Sequence, residues 1–293
     1  MKMASYCYSC ILDRSLFGAD LAGLAESEKK LAVEELLDYM ACHKGGVSAL
    51  VGTERERIIK RRSGNPDPYE GLKAESNSVA AGLLSLAGEF YAEKEDKIEA
   101  LIRIAAAANS MEFGVKGHDF NNSSFAGVFS ATLRENLQGD LEEVKRRLRK
   151  FSNILYLTDN CGEVIFDIFV IEKLAGMGKR IVVGSKSEPI LNDVTAQEMM
   201  ALCKSKPQHL KAIEVIATGD VVGTALERLQ PRALSILLDP NWLILAKGMG
   251  NFETISEYED RLKGRLIYIL RAKCQPVADE IGVIKGTLVA RSI

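Results

Sequence analysis

The chain has 293 residues, a formal net charge of −2, and 47% apolar and 27% charged residues. This is the composition of a soluble globular protein long enough to bury a substantial core, without the basic excess that recruits nucleic acid. No stretch reaches the roughly 18 uninterrupted apolar residues of a membrane-spanning helix, the first residues lack the apolar core of a signal peptide, and the cysteines are spread thinly. A cytoplasmic setting with reduced thiols is therefore expected, with no membrane and no nucleic-acid partner.

Residues 1–150 read as a helical domain. Near its start, Cys7-Tyr8-Ser9-Cys10 has a spacing used for zinc, iron–sulfur and redox sites. Cys274 is a third thiol that could fold back toward it, and Cys42-His43 could join them; a disulfide or plain reduced thiols are the alternatives. Residues 27–42 place Leu31, Val33, Leu36, Leu37 and Met40 close to helical spacing, and residues 96–109 do so with Ile98, Leu101, Ile102, Ile104 and Ala105. Gly64-Asn65-Pro66-Asp67-Pro68 between them is a turn cluster. Gly139-Asp140 puts an N-cap before a helix over 141–150, whose basic end, from Lys145 to Lys150, suits the helix dipole. No strand is expected in this half.

From residue 151 to 293 the pattern becomes that of an α/β domain with a Rossmann-like, mostly parallel sheet. Short apolar runs at 153–158, 180–184, 212–217 and 234–238 read as strands, with 243–246 and 265–270 as further ones, and helical stretches alternate with them. Parallel sheets bind ligands beyond the C-terminal ends of their strands. There the chain offers Asp159-Asn160-Cys161-Gly162-Glu163, then Asn192-Asp193, then Thr218-Gly219-Asp220, then Lys247-Gly248-Met249-Gly250-Asn251-Phe252-Glu253. Each of these groups alone reads as a cap or a solvated loop. Together they suggest a hard divalent cation held by Asp159, Asn160 and Asp193, since carboxylates and an amide oxygen suit such ions. Lys247 with its glycines fits a loop that approaches a phosphate. Asn109, at the end of an alanine-rich helix, and Glu112 are further polar candidates.

On these residues the chain resembles the damage-control phosphatase family, long filed as a domain of unknown function, one branch of which carries a disputed protein-carboxyl methyltransferase name. The resemblance rests on 157–167, Asn192-Asp193-Val194-Thr195, Thr218-Gly219-Asp220 with Gly223-Thr224, Lys247 to Glu253, Lys273-Cys274-Gln275-Pro276-Val277-Ala278, an Asn109-to-Gly114 element, and the N-terminal Cys-x-x-Cys of an archaeal and bacterial branch. It implies a helical domain on a Rossmann-like domain and a divalent metal, manganese, cobalt, nickel or magnesium. It also implies hydrolysis of small-metabolite phosphates, such as sugar phosphates or damaged cofactor derivatives. Carried over, Asp159, Asn160 and Asp193 are metal ligands, and Asp159, Asp193 and Lys247 form the catalytic set. Asn109, Glu112, Gly162, Glu163, Asp220, Gly248, Asn251 and Glu253 line the substrate pocket. Two positions depart from the family pattern: Glu112 replaces the usual aspartate, and Cys161 puts a thiol beside the expected metal. Water attack oriented by Asp159 or Asp193 and a covalent aspartyl-phosphate both remain open, as does oligomeric state.

Two rival classes are an S-adenosylmethionine-dependent carboxyl methyltransferase and a non-catalytic metal- or metabolite-binding module. The first strand's loop argues against the former, because it holds one glycine and two acids where an adenosine cofactor favours a glycine-rich turn.

Overall fold

The computed structural model of the chain describes residues 1–111, 122–204 and 213–293. Twelve α-helices and seven strands are assigned among them. The first five helices are α1 (Ser5–Leu21), α2 (Glu26–Cys42), α3 (Ser48–Ser63), α4 (Glu70–Glu93) and α5 (Lys97–Ser110). Then follow α6 (Asn122–Thr132), β1 (Leu137–Gly139) and α7 (Leu141–Lys150). The remaining elements alternate: β2 (Asn153–Leu157), α8 (Glu163–Gly176), β3 (Arg180–Ser185), α9 (Ala196–Lys204), β4 (Glu214–Ala217), α10 (Pro231–Leu238), β5 (Trp242–Lys247), α11 (Gly248–Ile255), β6 (Leu266–Arg271), α12 (Gln275–Ile281) and β7 (Leu288–Ser292).

The strands form one sheet in the order β1-β7-β6-β5-β2-β3-β4. Every neighbouring pair is parallel except β6 with β7. Leu157 at the end of β2 lies opposite Gly184 of β3 and Ala246 of β5, so these three strands end together and deliver their loops to one edge. The central strands are buried on both faces, as expected where helices cover a parallel sheet. Ile154 and Tyr156 join the core shared with α4, α5, α7 and α8, whereas Leu155 and Leu157 face the core shared with α10, α11 and α12. The larger core thus runs from helices of the first half straight onto the sheet. Helices α1 to α3 keep a smaller core of their own, including Ile11, Leu36 and Ile58, and pack on α11 and α12 beside the sheet edge.

Several expectations need correction. Residues 234–238 belong to helix α10, not to a strand. A short apolar run reads alike in either form; here Pro231 opens the first turn, where its fixed φ and missing N–H cost nothing, and Ala233, Ile236 and Leu237 fall on one buried face. The first half does contain a strand, β1, which pairs with the C-terminal β7. The third expected strand begins, among the described residues, at Glu214, and its expected start at Ala212 lies outside them. Asp140 stands at the N-cap of α7, but its carboxylate makes no cap hydrogen bond. It accepts from the Ser292 amide at 2.8 Å and from the Ser292 hydroxyl, and so fastens β7. The basic end of α7 is consumed internally: Arg147 donates to Ile293 O at 2.5 Å, and Arg149 pairs with Asp96 at 2.8 Å. Among the described residues no helix is long and apolar enough to cross a membrane.

Candidate active site

The loops after β2 and β3 are bonded to each other. Cys161 N donates to Asn192 O at 2.8 Å and Val194 N to Asp159 O at 3.0 Å, making Asn160 and Asp193 partners in an isolated antiparallel bridge. That pairing brings Asp159, Asn160 and Asp193 to one point. Helix α5 adds Asn109 from the other side. The alanines Ala105 to Ala108 are completely buried, and their small side chains let α5 lie close against α8 and β6. Asn109 Nδ2 then reaches Glu163 Oε2 at 2.7 Å and Asp159 Oδ2 at 3.1 Å, while its Oδ1 accepts from Arg271 N at 3.0 Å. Asn160 Nδ2 donates to the same Asp159 Oδ2 at 3.0 Å. Gly248 completes the cradle: with φ of +76° it occupies the left-handed region, and a Cβ there would lie 1.8 Å from Asp159 Oδ2. Only glycine admits the carboxylate so close to the start of α11.

Behind this point lies a buried charge network. Lys247, at the end of β5, is fully buried; its Nζ donates to Asp167 Oδ1 at 2.6 Å and lies 3.4 Å from Glu163 Oε1. The Tyr156 hydroxyl donates to the same Asp167 Oδ1 at 2.5 Å. Burial works against the Lys247 ammonium, but the charges of Asp167 and Glu163 outweigh it and hold the group above its ordinary value. Burial pushes Asp167 up to about 6 against the pull of Lys247.

In front lies a cavity of about 900 Å³, between α1 and α3 on one side and the loops of the sheet edge on the other. Asn109, Asp159, Asn160, Asp193, Glu253, Cys7, Cys10 and Cys274 border it, as does Lys273. Among the described residues, the other expected pocket residues do not. Lys247 is the counterion of Glu163 and Asp167, not a cavity lysine. Asn251 is a buried clamp, donating to Thr158 O at 3.0 Å and Lys247 O at 2.7 Å while accepting from Thr224 Oγ1 at 2.7 Å. Asp220 pairs with Arg57 at 2.5 Å. Gly162 N is bonded to Asn77 Oδ1 at 2.7 Å, and Glu163 and Gly248 support Asp159 from behind. Glu112 lies outside the described residues. Cys161 is buried in the large core and does not border the cavity; desolvation, then the charge of Glu198, pushes its thiol up.

The cavity acids are poised for a cation. Burial, then the charges of Glu163 and Asp193, raises the Asp159 carboxyl well above its usual range, with Lys273 and Lys186 opposing. Burial raises Asp193 to about 6 despite Lys186, whose Nζ lies 3.5 Å from Asp193 Oδ2. That oxygen is buried and has no hydrogen-bond partner among the described residues. Two carboxylates, one with an oxygen that lacks a hydrogen bond, and the Asn160 Oδ1, which has no partner among the described residues, are a hard donor set suited to a divalent ion. Among the described residues, no three His, Cys, Asp or Glu side chains form a metal-holding group, so the amide is needed as the third donor. For the same reason Cys7, Cys10 and Cys274 share a cavity wall without converging on a metal. All three are free thiols, and burial pushes Cys274 up to about 11.

These shifts fix a pH dependence. An acid whose folded pKa exceeds its unfolded value favours the fold while protonated, and that contribution is lost as pH rises through the folded value. For Asp193 the window runs from about 4 to about 6, on the order of 3 kcal/mol. The metal-free protein is therefore expected to melt at a lower temperature at about pH 7 than at about pH 5, and a divalent cation to restore the loss. A melting temperature of metal-free protein that is flat or rising across that range would contradict the assignment.

A mostly parallel sheet with acids and amides gathered at its edge defines an α/β enzyme. Residues 3–289 match the model of the damage-control phosphatase ARMT1-like domain. The chain is 29% identical over 297 residues to a damage-control phosphatase of Archaeoglobus fulgidus, covering all of both chains. It is 32% identical over 300 residues to an uncharacterized protein of Methanocaldococcus jannaschii, covering 98% of this chain and 94% of that one. A crystal structure of a DUF89 family protein from Pyrococcus horikoshii superposes with a TM-score of 0.86 at 27% identity, covering 99% and 98% of the two chains. The chain belongs to the damage-control phosphatase ARMT1-like family and is a phosphatase.

Sequence reasoning missed Lys186, Asp167 and the role of Lys273. The signal for Asp167 was present, since Glu163 and Asp167 stand at i and i+4 in a stretch otherwise apolar from Val164 to Ile171 and must share a buried cation.

Proposed function

We propose that this phosphatase uses a divalent cation held by Asp159, Asn160 and Asp193 to hydrolyse phosphate monoesters of small metabolites. The observation that carries the reading is the pair of desolvated carboxylates Asp159 and Asp193, the latter with a buried Oδ2 whose one ion-pair partner among the described residues is Lys186 at 3.5 Å, on the wall of a cavity large enough for a metabolite. A cation there supplies Lewis-acid polarisation of a phosphoryl oxygen and neutralises the paired acids. Asn109 and Asn160 both donate to Asp159 Oδ2, which leaves Oδ1 of that carboxylate without a hydrogen bond among the described residues. Glu163 orients Asn109, and Lys247 balances Glu163 and Asp167 behind it. Lys273 borders the cavity, its charge acts on Asp159, and its ammonium has no partner among the described residues. It is the side chain we assign to the substrate phosphate. Manganese, cobalt, nickel and magnesium suit the same donors, and sugar phosphates or damaged cofactor phosphates suit the cavity.

The test is phosphate release from p-nitrophenyl phosphate and a sugar-phosphate panel by metal-stripped protein, with each of the four ions restored singly. Turnover that returns only with metal supports the reading. Equal turnover in chelator would remove the metal from the chemistry, and tight metal binding without turnover of any ester would favour a binding module.

A further inference from the structure

We infer that the cavity carries a second anion-recognition corner, formed by Arg14, Arg55 and Tyr69, and that the preferred substrates are phosphate monoesters bearing a second anionic group, a carboxylate or another phosphate. The inference rests on the phosphatase reading above and narrows its substrate class.

All three side chains border the cavity that Asp159, Asn160 and Asp193 border. Arg55 is only 5% exposed and Tyr69 only 4%, so they are built into the wall and are not surface groups. The Arg55 guanidinium spends Nε and Nη2 on Glu56 Oε1, at 2.9 and 2.8 Å. Its Nη1 has no acceptor among the described residues, and neither the Arg14 guanidinium nor the Tyr69 hydroxyl has a partner among them. A buried guanidinium half-satisfied by one carboxylate oxygen is costly unless something else accepts from it.

The three groups act on one another. Burial, then Glu56, raises the Tyr69 phenol, and the charges of Arg55 and Arg14 are the influences that oppose it. Phe17 meets the Tyr69 ring edge-on at 6.4 Å and fixes its plane. Two guanidiniums and a phenol O–H facing one cavity wall are donors only, apart from the phenol oxygen, and so select an acceptor with negative charge. Asp13 and Lys285 also border the cavity, but both are exposed and of opposite sign.

This corner is carried by different elements from the phosphate end: Arg14 lies on α1, Arg55 on α3 and Tyr69 just before α4, whereas Asp159, Asp193 and Lys273 lie in the loops that follow β2, β3 and β6. A volume of about 900 Å³ exceeds what a phosphate alone fills and suits a small metabolite spanning both ends.

The test compares 6-phosphogluconate with glucitol 6-phosphate, open-chain esters that differ in a carboxylate against a hydroxymethyl group, on the metal-loaded protein. Glucose 1,6-bisphosphate against glucose 6-phosphate is the second-phosphate case. We expect kcat/KM to favour the doubly anionic esters by about 10–100-fold, the range of a hydrogen bond to a charged group. Arg14→Gln is expected to shrink that ratio about tenfold or more, through KM. Arg55→Gln alone would strand the buried Glu56 carboxylate, so it is paired with Glu56→Gln, and the double variant is expected to shrink the ratio similarly. The ratio is read within each variant, so a general loss of activity does not enter it. A wild-type ratio near one, or a ratio unmoved in both variants, would overturn the corner. Absence of all turnover would instead remove the phosphatase reading; calorimetric affinities for the same pair of esters, in wild type and variants, would then decide the corner on binding alone.

Discussion

Alanine at Asp159 or at Asp193 is expected to lower kcat/KM for every phosphate ester on the order of 10³-fold, and alanine at Asp159 also to raise the melting temperature of the metal-free protein. The first effect follows from losing a cation ligand, since metal stabilisation of the transition state is worth several kcal/mol and each 1.36 kcal/mol is a factor of ten. The second follows from electrostatics. Both carboxylates are desolvated, and in the absence of metal the charge of Asp193 raises Asp159 further. Deleting Asp159 removes a buried charge and relieves Asp193, the usual opposition between function and stability at a polar site, whereas deleting Asp193 leaves the buried Lys186 ammonium without its counterion. Steady-state assays with thermal melts in chelator check both. An Asp159 variant that loses activity and also melts lower would make that acid structural.

Lys247→Met is expected to destabilise the protein by about 3–5 kcal/mol, the range for removing one partner of a buried ion pair. The methionine fills similar volume, so the loss reads charge and not packing. What remains is Asp167 and Glu163 without a counterion, next to a further acid at Asp159. Asp167→Asn in the same chain keeps an acceptor for the Tyr156 hydroxyl and removes one charge, so the double variant is expected to recover part of the loss. Urea denaturation of the two variants is the check. A single variant within about 1 kcal/mol of wild type would show that these acids are held protonated and need no cation.

The chemistry at the sheet edge was legible because parallel strands announce it: Asp159 directly follows the run 153–158, and Asp193 lies in the loop after 180–184. Their mutual approach was not legible, since it depends on Cys161 N and Val194 N bonding across two loops. Lys247 was misread because a lysine before Gly-Met-Gly looks like loop chemistry. It is the last residue of a strand buried along its whole length, and its partners sit 84 and 80 residues earlier on α8. Asn251 was misread for a similar reason: its amide closes three backbone and side-chain bonds that no local pattern foretells. The run 234–238 failed on length, being too short for periodicity to separate strand from helix, although Pro231 was a usable signal. Strand β1 has three residues and pairs with a segment about 150 positions away, so nothing local marks it. The anion corner was hidden because Arg14, Arg55 and Tyr69 lie on α1, α3 and the start of α4, in a half whose sequence shows only helical periodicity.

The most direct test of the account is an anomalous difference map from crystals grown with manganese, using data collected near the manganese edge. The account predicts a peak within about 2.0–2.4 Å of a carboxylate oxygen of Asp159, a carboxylate oxygen of Asp193 and Oδ1 of Asn160. A peak elsewhere in the cavity, or no peak there in crystals of protein that turns over esters with manganese, would contradict it.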